Sequence, residues 1–185
     1  MGIRRAQVEV VEGRRADAAP TGGEGDALVT AARGVGLLIR VADCVPILLA
    51  DPAAGLVGAV HAGRAGLSAG VVEAAVAALR ARGARRLTAW LGPHICPACY
   101  ELPAELAEAV WRRLPATRAK TAGGAPAVDL GAGAAAELAR LGCAVERRDP
   151  CTAESPDLFS YRRDGRTGRL GAVVWLADGP PAGRG

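Results

Sequence analysis

The sequence has few of the residues on which several classes of protein depend. Among its 185 residues, Phe, Trp and Tyr together make up 3%, and Lys120 is the one lysine against twenty-two arginines. These arginines occur as scattered pairs, and few aromatic rings are present to stack on bases, which argues against a nucleic-acid-binding protein. No stretch approaches the roughly 18 apolar residues of a membrane span, and residues 1–12 contain no apolar signal-peptide core. We therefore expect a cytoplasmic protein with neither membrane nor nucleic-acid partners.

Cysteine and histidine are also scarce, with five and two copies. In a reducing compartment, an odd number of cysteines indicates ligands, nucleophiles or core residues more often than disulfides. We expect no disulfide among Cys96, Cys99, Cys143 and Cys151. The length suits one domain that buries a sizeable core without a disulfide or metal.

The hydrophobic pattern predicts an α+β fold. Strands occur both as hairpins and between helices, which favours mixed β-sheets flanked by helices, a layered α/β sandwich. The predicted strands cover residues 6–11, 36–42, 45–50, 56–60, 87–91, 143–146 and 171–176, and the predicted helices cover 67–82, 103–114 and 129–141. Residues 13–25 are predicted to form a loop, and 177–185 a flexible tail.

Two polar segments border the predicted hairpin of residues 45–60. Asp43 and Cys44 precede its first strand, and His61 follows its second. Cysteine packs well as a small core residue, but a carboxylate beside buried strands needs a partner. Because Cys44 and His61 lie at adjacent ends of the hairpin, they form either part of a metal site or a nucleophile–base pair. The residues alone leave both open.

A third polar segment contains a pair of cysteines, Cys96 and Cys99, at the spacing of a zinc knuckle. A structural zinc site usually needs a second closely spaced pair, and Cys143 and Cys151 are eight positions apart. We therefore interpret this segment as a loop at the rim of the site.

A fourth polar segment contains the paired arginines Arg162 and Arg163 beside Tyr161. Such a pair forms either a solvated surface or a clamp for an anion.

Taken in order, these segments resemble the laccase-domain family, whose members carry the names polyphenol oxidase, peptidoglycan editing factor and purine nucleoside phosphorylase. The resemblance extends from about residue 7 to residue 176, and it implies a single laccase-type domain over 1–185. Its motifs are Asp26-Ala27-Leu28-Val29-Thr30, Ala42-Asp43-Cys44-Val45-Pro46, His61-Ala62-Gly63, Gly92-Pro93, Cys99-Tyr100-Glu101, Cys151-Thr152, Ser160-Tyr161-Arg162-Arg163-Asp164-Gly165 and Gly168-Arg169.

The resemblance implies zinc-dependent phosphorolysis of purine nucleosides: adenosine, inosine, guanosine and methylthioadenosine, with adenosine deamination as a side activity. The family's metal ligands are one Cys and two His, which places two of them on Cys44 and His61. Copper is less favoured than zinc, because one Cys and two His cannot build the several copper centres of a laccase. The expected partners are purine nucleosides and phosphate, and homo-oligomer formation stays open.

The resemblance also assigns roles to residues around the expected metal. Arg64 and Arg162 are expected to place phosphate, and Glu101 to orient a ligand or contact the ribose. The candidate catalytic residues are Cys44, His61, Arg64 and Glu101, and the candidate substrate-binding residues are Asp43, Arg64, Tyr100 and Arg162.

The chain departs from the family pattern in two places. The family's other His lies in a Gln-Val-His-Gly segment that would fall at or before Ile3-Arg4-Arg5, where no His is present. Either the start codon is placed too late or the chain is truncated, and we expect weak zinc binding and weak phosphorolysis unless His94 completes the site. Arg64-Ala65 also stands where most relatives have Trp-Arg. The alternatives are a Cys–His hydrolase in peptidoglycan precursor editing and an inactive truncated homologue.

Overall fold

The computed structural model describes residues 7–11 and 26–177, so the predicted loop at 13–25 and all but the first residue of the predicted tail at 177–185 lie outside the described residues. The strands are β1 (Val8–Val10), β2 (Ala27–Thr30), β3 (Leu37–Val41), β4 (Val45–Asp51), β5 (Leu56–Ala62), β6 (Thr88–Leu91), β7 (Arg118–Lys120), β8 (Pro126–Val128), β9 (Ala144–Arg147) and β10 (Leu170–Val174). The α-helices are α1 (Arg64–Ser68), α2 (Val71–Ala81), α3 (Ala104–Arg113), α4 (Leu130–Arg140) and α5 (Tyr161–Asp164), with 3-10 turns at Pro97–Cys99 and Pro115–Thr117.

A mixed six-stranded sheet, in the order β1-β2-β5-β4-β6-β9, forms the centre of the fold. Its inner pairs are antiparallel, and its two outer pairs, β1 with β2 and β6 with β9, are parallel. The predicted hairpin is β4 and β5, whose strands are buried on both faces. Its turn ends at Gly55, where φ is +62°, a conformation that glycine adopts without the steric cost of a Cβ.

Helices cover one face of this sheet, and a two-stranded ribbon covers the other. Val72, Val76 and Leu79 on α2 are buried in the core between helices and sheet, at the predicted helical spacing. On the opposite face, β3 pairs antiparallel with β10 and buries Leu37 and Ile39. The layers confirm the predicted α+β class. Within the described residues, no helix is both long and apolar enough to cross a membrane.

Two helices begin and end close to the predicted positions. Asp129 caps α4, because its Oδ1 accepts a hydrogen bond from the Ala132 amide at 2.8 Å, and Gly142 follows the helix at φ +71°. Helix α3 begins after Pro103 and ends at Arg113. In the sequence, Asp129 and Gly142 indicate the ends of α4, and Pro103 indicates the start of α3.

The helix predicted over 67–82 is wrong as a single element. Residues 64–68 and 71–81 form two helices, separated at Gly70, where φ is +85°. A left-handed residue cannot continue a right-handed helix, so the chain changes direction there. The short strands β2, β7 and β8 were not predicted. They contain three or four residues each, too few to show a period.

A buried carboxylate anchors the far end of the β4–β5 hairpin. Asp51 Oδ2 accepts hydrogen bonds from the amides of Arg85 and Arg86 at 2.6 and 2.8 Å, and its Oδ1 accepts one from Ala54 at 3.2 Å. These backbone donors lower the pKa of the Asp51 carboxyl. The hairpin turn is thereby fixed to the loop that precedes β6.

Candidate active site

Cys44 and His61 come together at the open end of the hairpin. Cys44 directly precedes β4, and His61 pairs with Pro46 across the hairpin. A Cβ built on Gly63 would lie 2.9 Å from Cys44 Sγ and 3.7 Å from His61 Nε2. The thiol and the imidazole therefore face one small space, which stays open because residue 63 has no side chain.

Asp26 orients the imidazole ring. His61 Nδ1 lies 3.3 Å from Asp26 Oδ1, and the His61 amide donates to the Asp26 carbonyl at 2.8 Å. With Nδ1 directed at a carboxylate, Nε2 is the nitrogen that faces Cys44. Metal-binding histidines commonly have this arrangement, which fixes the tautomer and increases the basicity of the free nitrogen. Sequence reasoning placed Asp26 in a family motif but gave it no role.

The surroundings of the Cys44 thiol oppose its ionisation. Burial, followed by the charges of Asp43 and Asp26, raises the pKa of Cys44 to about 11, and the Arg169 charge acts in the opposite direction. In the absence of a cation, the thiol is therefore protonated at neutral pH. Arg169 is another nearby residue that sequence reasoning left without a role, although its Gly-Arg motif had been noted.

The Asp43 carboxylate is engaged by the protein itself. Its Oδ1 accepts a hydrogen bond from the Thr152 hydroxyl at 2.7 Å, and its Oδ2 accepts one from the Arg162 amide at 2.6 Å. The residue is 8% exposed and has φ of +83°, an uncommon conformation that Asp tolerates better than most residues. This geometry ties the segment containing Thr152 and Arg162 to the start of β4. The carboxylate positions that segment, and the substrate contact expected from the sequence stays a prediction.

Two arginines surround Tyr100 close to Cys44. The Arg162 guanidinium lies 5.0 Å from the centre of the Tyr100 ring and donates to the Glu101 carbonyl at 2.9 Å. Arg64 lies near enough for its charge to act on the Tyr100 hydroxyl. Burial raises the pKa of Tyr100; the charges of the two arginines oppose this, while Cys44 adds to it. Glu101 contributes its carbonyl, and its own side chain is exposed.

His94 lies among other partners. It is 3% exposed, its Nδ1 is 2.9 Å from the Gly92 carbonyl, and its Nε2 is 3.9 Å from Asp149 Oδ2. Both ring nitrogens therefore face groups outside the Cys44 site. The position expected for the family's remaining His, at or before residues 3–5, lies outside the described residues.

A second cluster of possible metal ligands was missed by the sequence reasoning. Atoms of Cys96, Cys99, Cys151 and Glu154 all lie within 4.8 Å of one another, so the four side chains could hold a metal ion. Cys143 packs in the hydrophobic core, and all five cysteines are free thiols. The sequence signal for its second half is a pair at i and i+3, Cys151 and Glu154. A search for a second pair of cysteines misses it, because one of the two residues is Glu.

Solved structures with similar folds include two bacterial proteins. YlmD from Geobacillus stearothermophilus matches with a TM-score of 0.79 at 30% identity, over 94% of this chain and 71% of that chain. The NMB0706 protein of Neisseria meningitidis matches with a TM-score of 0.74 at 33% identity, over 83% of this chain and 65% of that chain.

Curated relatives are named purine nucleoside phosphorylases. The chain is 54% identical to ORF3 of Streptomyces griseus over 82% of its own length and 63% of the relative's, and 53% identical to SCO2081 of Streptomyces coelicolor over 82% and 64%. A relative from Corynebacterium glutamicum is 44% identical over 86% of this chain and 68% of its own. The chain thus spans slightly less than two thirds of the two Streptomyces relatives.

A family model covers nearly all of the described residues. It matches residues 3–177 and is described as multi-copper polyphenol oxidoreductase laccase. With this match and the Corynebacterium relative, the resemblance seen in the sequence motifs is confirmed, and the chain belongs to that laccase-like family.

Proposed function

We propose that this chain is a zinc-dependent purine nucleoside phosphorylase, acting in the cytoplasm, whose site is built around Cys44 and His61. The observation that carries the proposal is the shared space beside Gly63, which both side chains face. The names of the relatives support the reaction class. Adenosine, inosine, guanosine and methylthioadenosine are the proposed substrates together with phosphate, and adenosine deamination is a proposed side activity.

The donor set beside Gly63 suits zinc. A thiolate and a neutral imidazole are typical zinc ligands, and Asp26 directs the free nitrogen of His61 toward the thiol. A cation there would also stabilise the thiolate form of Cys44, which burial and the charges of Asp43 and Asp26 disfavour. Zinc bound at this point would act as a Lewis acid toward phosphate or the nucleoside.

Arginine side chains provide the phosphate site. Phosphorolysis forms a bond between a phosphate oxygen and the anomeric carbon, while the bond to the purine nitrogen breaks and the purine leaves with the electron pair. Arg64 and Arg162 both approach Tyr100, and guanidinium groups bind phosphate oxygens in bidentate fashion. Asp43 holds the Arg162 backbone in place. Positioning of phosphate against the sugar supplies much of the catalysis in this proposal.

Tyr100 offers a hydroxyl to the nucleoside. Arg64 lies near the Tyr100 hydroxyl, and in this proposal the hydroxyl donates to an acceptor on the ribose or the purine. Because burial raises the pKa of Tyr100, the hydroxyl stays protonated at neutral pH. Glu101 enters the proposal as the carbonyl that anchors Arg162.

A Cys–His hydrolase is the competing function. A cysteine nucleophile reacts as the thiolate and usually has a lowered pKa, whereas the pKa of Cys44 is raised to about 11. This direction favours a metal ligand over a free nucleophile. An alkylating reagent should therefore modify Cys44 faster after a chelator has been added.

The test incubates the purified protein with adenosine, phosphate and added zinc, and measures released adenine. Cys44→Ala and His61→Ala should each lower kcat/KM at least about a hundredfold, since each removes a direct ligand. Cys143→Ala is the matched control, because it also removes a thiol but one that packs in the core. Unchanged rates in both site variants would rule out this site for the reaction.

Arg162→Gln separates phosphate binding from folding. Its guanidinium is exposed and stacks on Tyr100, so we expect the KM for phosphate to rise more than the KM for adenosine. An equal rise in both would refute the assignment of Arg162 to phosphate.

A further inference from the structure

The cluster of Cys96, Cys99, Cys151 and Glu154 takes no part in the proposed phosphorolysis. We propose that these four side chains form a structural zinc site, separate from the Cys44–His61 site. The three sulfurs and a carboxylate oxygen all lie within 4.8 Å of one another. Each pair of ligands comes from a tight turn at i and i+3 spacing, one pair from Cys96–Cys99 and the other from Cys151–Glu154.

The sulfur–oxygen distances match a tetrahedral centre. A zinc ion with bonds of about 2.3 Å to sulfur and about 2.1 Å to oxygen holds these ligand atoms about 3.6 Å apart. Cys96 Sγ and Cys99 Sγ lie 3.6 and 3.7 Å from Glu154 Oε1. The side chains are thus arranged with the spacing that zinc would require.

Backbone hydrogen bonds hold the sulfurs of the cluster in place. The Cys96 amide donates to Cys151 Sγ at 3.2 Å. The Cys99 amide donates to the Cys96 carbonyl at 3.1 Å, which closes the turn between these two cysteines. Such donors orient sulfur ligands and offset part of the negative charge of thiolates bound to a metal.

The ligand types favour zinc over other divalent cations. Thiolates select soft or borderline ions, whereas Mg²⁺ and Ca²⁺ prefer sites made of oxygen atoms. Binding would release a proton from each of three thiols and join three thiolates and one carboxylate to Zn²⁺. All four protein ligands would then be present, as in other structural zinc sites.

The site would fasten together two segments that border the proposed active site. Cys99 directly precedes Tyr100, and Cys151 precedes Thr152, whose hydroxyl donates to the Asp43 carboxylate. The Thr152 amide also donates to the His94 carbonyl at 3.0 Å. Zinc at this point would hold the Tyr100 loop against the segment that leads to α5, without touching a substrate.

Metal content of matched alanine variants tests the proposal. The wild type, Cys99→Ala, Cys44→Ala and Cys143→Ala are each equilibrated with excess zinc chloride, desalted and analysed for zinc per chain. Cys99→Ala should contain one zinc ion per chain fewer than the wild type. Cys44→Ala and Cys143→Ala should both retain this zinc ion. Replacement of zinc by Co²⁺ should give a sulfur-to-cobalt charge-transfer band that is much weaker in Cys99→Ala, where the Cys44 thiolate still contributes, and that stays strong in Cys44→Ala.

Several results would overturn the proposal. They are an unchanged zinc content in Cys99→Ala, a different metal in the native protein, and a disulfide among Cys96, Cys99 and Cys151 in the unreduced native chain. If Cys99→Ala does not fold, Glu154→Gln replaces it, since this exposed side chain is not part of the core. Competition with a chelator should then show zinc affinity at least about tenfold weaker, and an unchanged affinity counts against the site. These readouts do not depend on phosphorylase activity.

Discussion

Asp43 offers the sharpest test of how the site is held together. Its buried carboxylate accepts hydrogen bonds from the Thr152 hydroxyl and the Arg162 amide, and its backbone has φ of +83°. Asp43→Asn keeps the size of the side chain and the tolerance for this backbone conformation. It removes the negative charge and points the side-chain NH₂ of Asn at either the Thr152 hydroxyl or the Arg162 amide, both of which are donors. The variant thus isolates the hydrogen bonds from backbone strain.

The magnitude follows from two hydrogen bonds to a charged acceptor. Each such bond contributes about 1.5–3 kcal/mol, and a buried donor left without an acceptor adds a desolvation cost. Asn keeps one acceptor, so we expect a loss of about 3 kcal/mol in the free energy of unfolding. For a domain of this size, that loss corresponds to a decrease in Tm of about 6–12 °C.

The assay is urea unfolding followed by circular dichroism, with calorimetry for Tm. Asp157→Asn is the matched control: it makes the same chemical change at an exposed residue of the neighbouring loop, where the effect should stay within about 0.5 kcal/mol. Thr152→Val, combined with Asp43→Asn, measures the coupling between the two side chains. Equal stability of Asp43→Asn and Asp157→Asn would refute the anchoring role.

Three further variants test particular contacts. The lowered pKa of Asp51 means that its carboxylate stabilises the fold above the unfolded-state pKa of about 3.9, and that this contribution is lost as pH falls through the folded-state pKa. The urea midpoint of Asp51→Asn should therefore lie well below wild type at pH 7 and approach it in acid; a gap independent of pH would contradict this. Gly63→Ala places a Cβ 2.9 Å from Cys44 Sγ, so calorimetric titration should show zinc binding at this site at least about tenfold weaker. The control Gly66→Ala should leave the affinity unchanged, because the atom nearest to its Cβ is 3.5 Å away. Equal affinities of the two variants would disprove that Cys44 and His61 bind zinc in the space beside residue 63. Gly131→Ala should lower Tm, because its Cβ would lie 2.3 Å from His94 Nε2. Helix propensity alone predicts the opposite, an increase in Tm, since Gly131 lies in a helix. A measured increase would show that the His94 imidazole moves aside easily.

The sequence predicted the parts of the fold whose signals are local. Strands β4 and β5 are continuous apolar runs joined by a Pro- and Gly-containing turn, so both the hairpin and the approach of Cys44 to His61 followed from spacing. The Asp129 cap and Gly142 marked the ends of α4 in the same way. In contrast, the break at Gly70 was missed, because glycine inside a helical pattern does not by itself say whether the helix continues.

The second cluster was not predicted, because its two halves are distant in sequence and the second half pairs one Cys with a Glu. Cys99 and Cys151 are brought together by tertiary contacts, among them the bridge between His94 and Cys151. The same holds for Asp26, which meets His61 only because β2 pairs with β5. Residues that act through such contacts carry no periodic signal, so the sequence indicated the Cys44–His61 pair but not the groups that orient it.

The segment from Cys151 to Arg162 connects the two candidate metal sites. One end of the segment supplies a ligand of the proposed structural zinc, and the other end is held by the carboxylate of Asp43, the residue next to Cys44. The Arg163 guanidinium adds three hydrogen bonds of 2.7–3.0 Å to carbonyls within the segment, which makes it rigid. Because the segment is fixed at both ends, a change at the structural zinc would displace Arg162 as well as Tyr100. Loss of that zinc should therefore affect phosphate binding while leaving Cys44 and His61 facing each other, since those two are aligned by the hairpin and by Asp26.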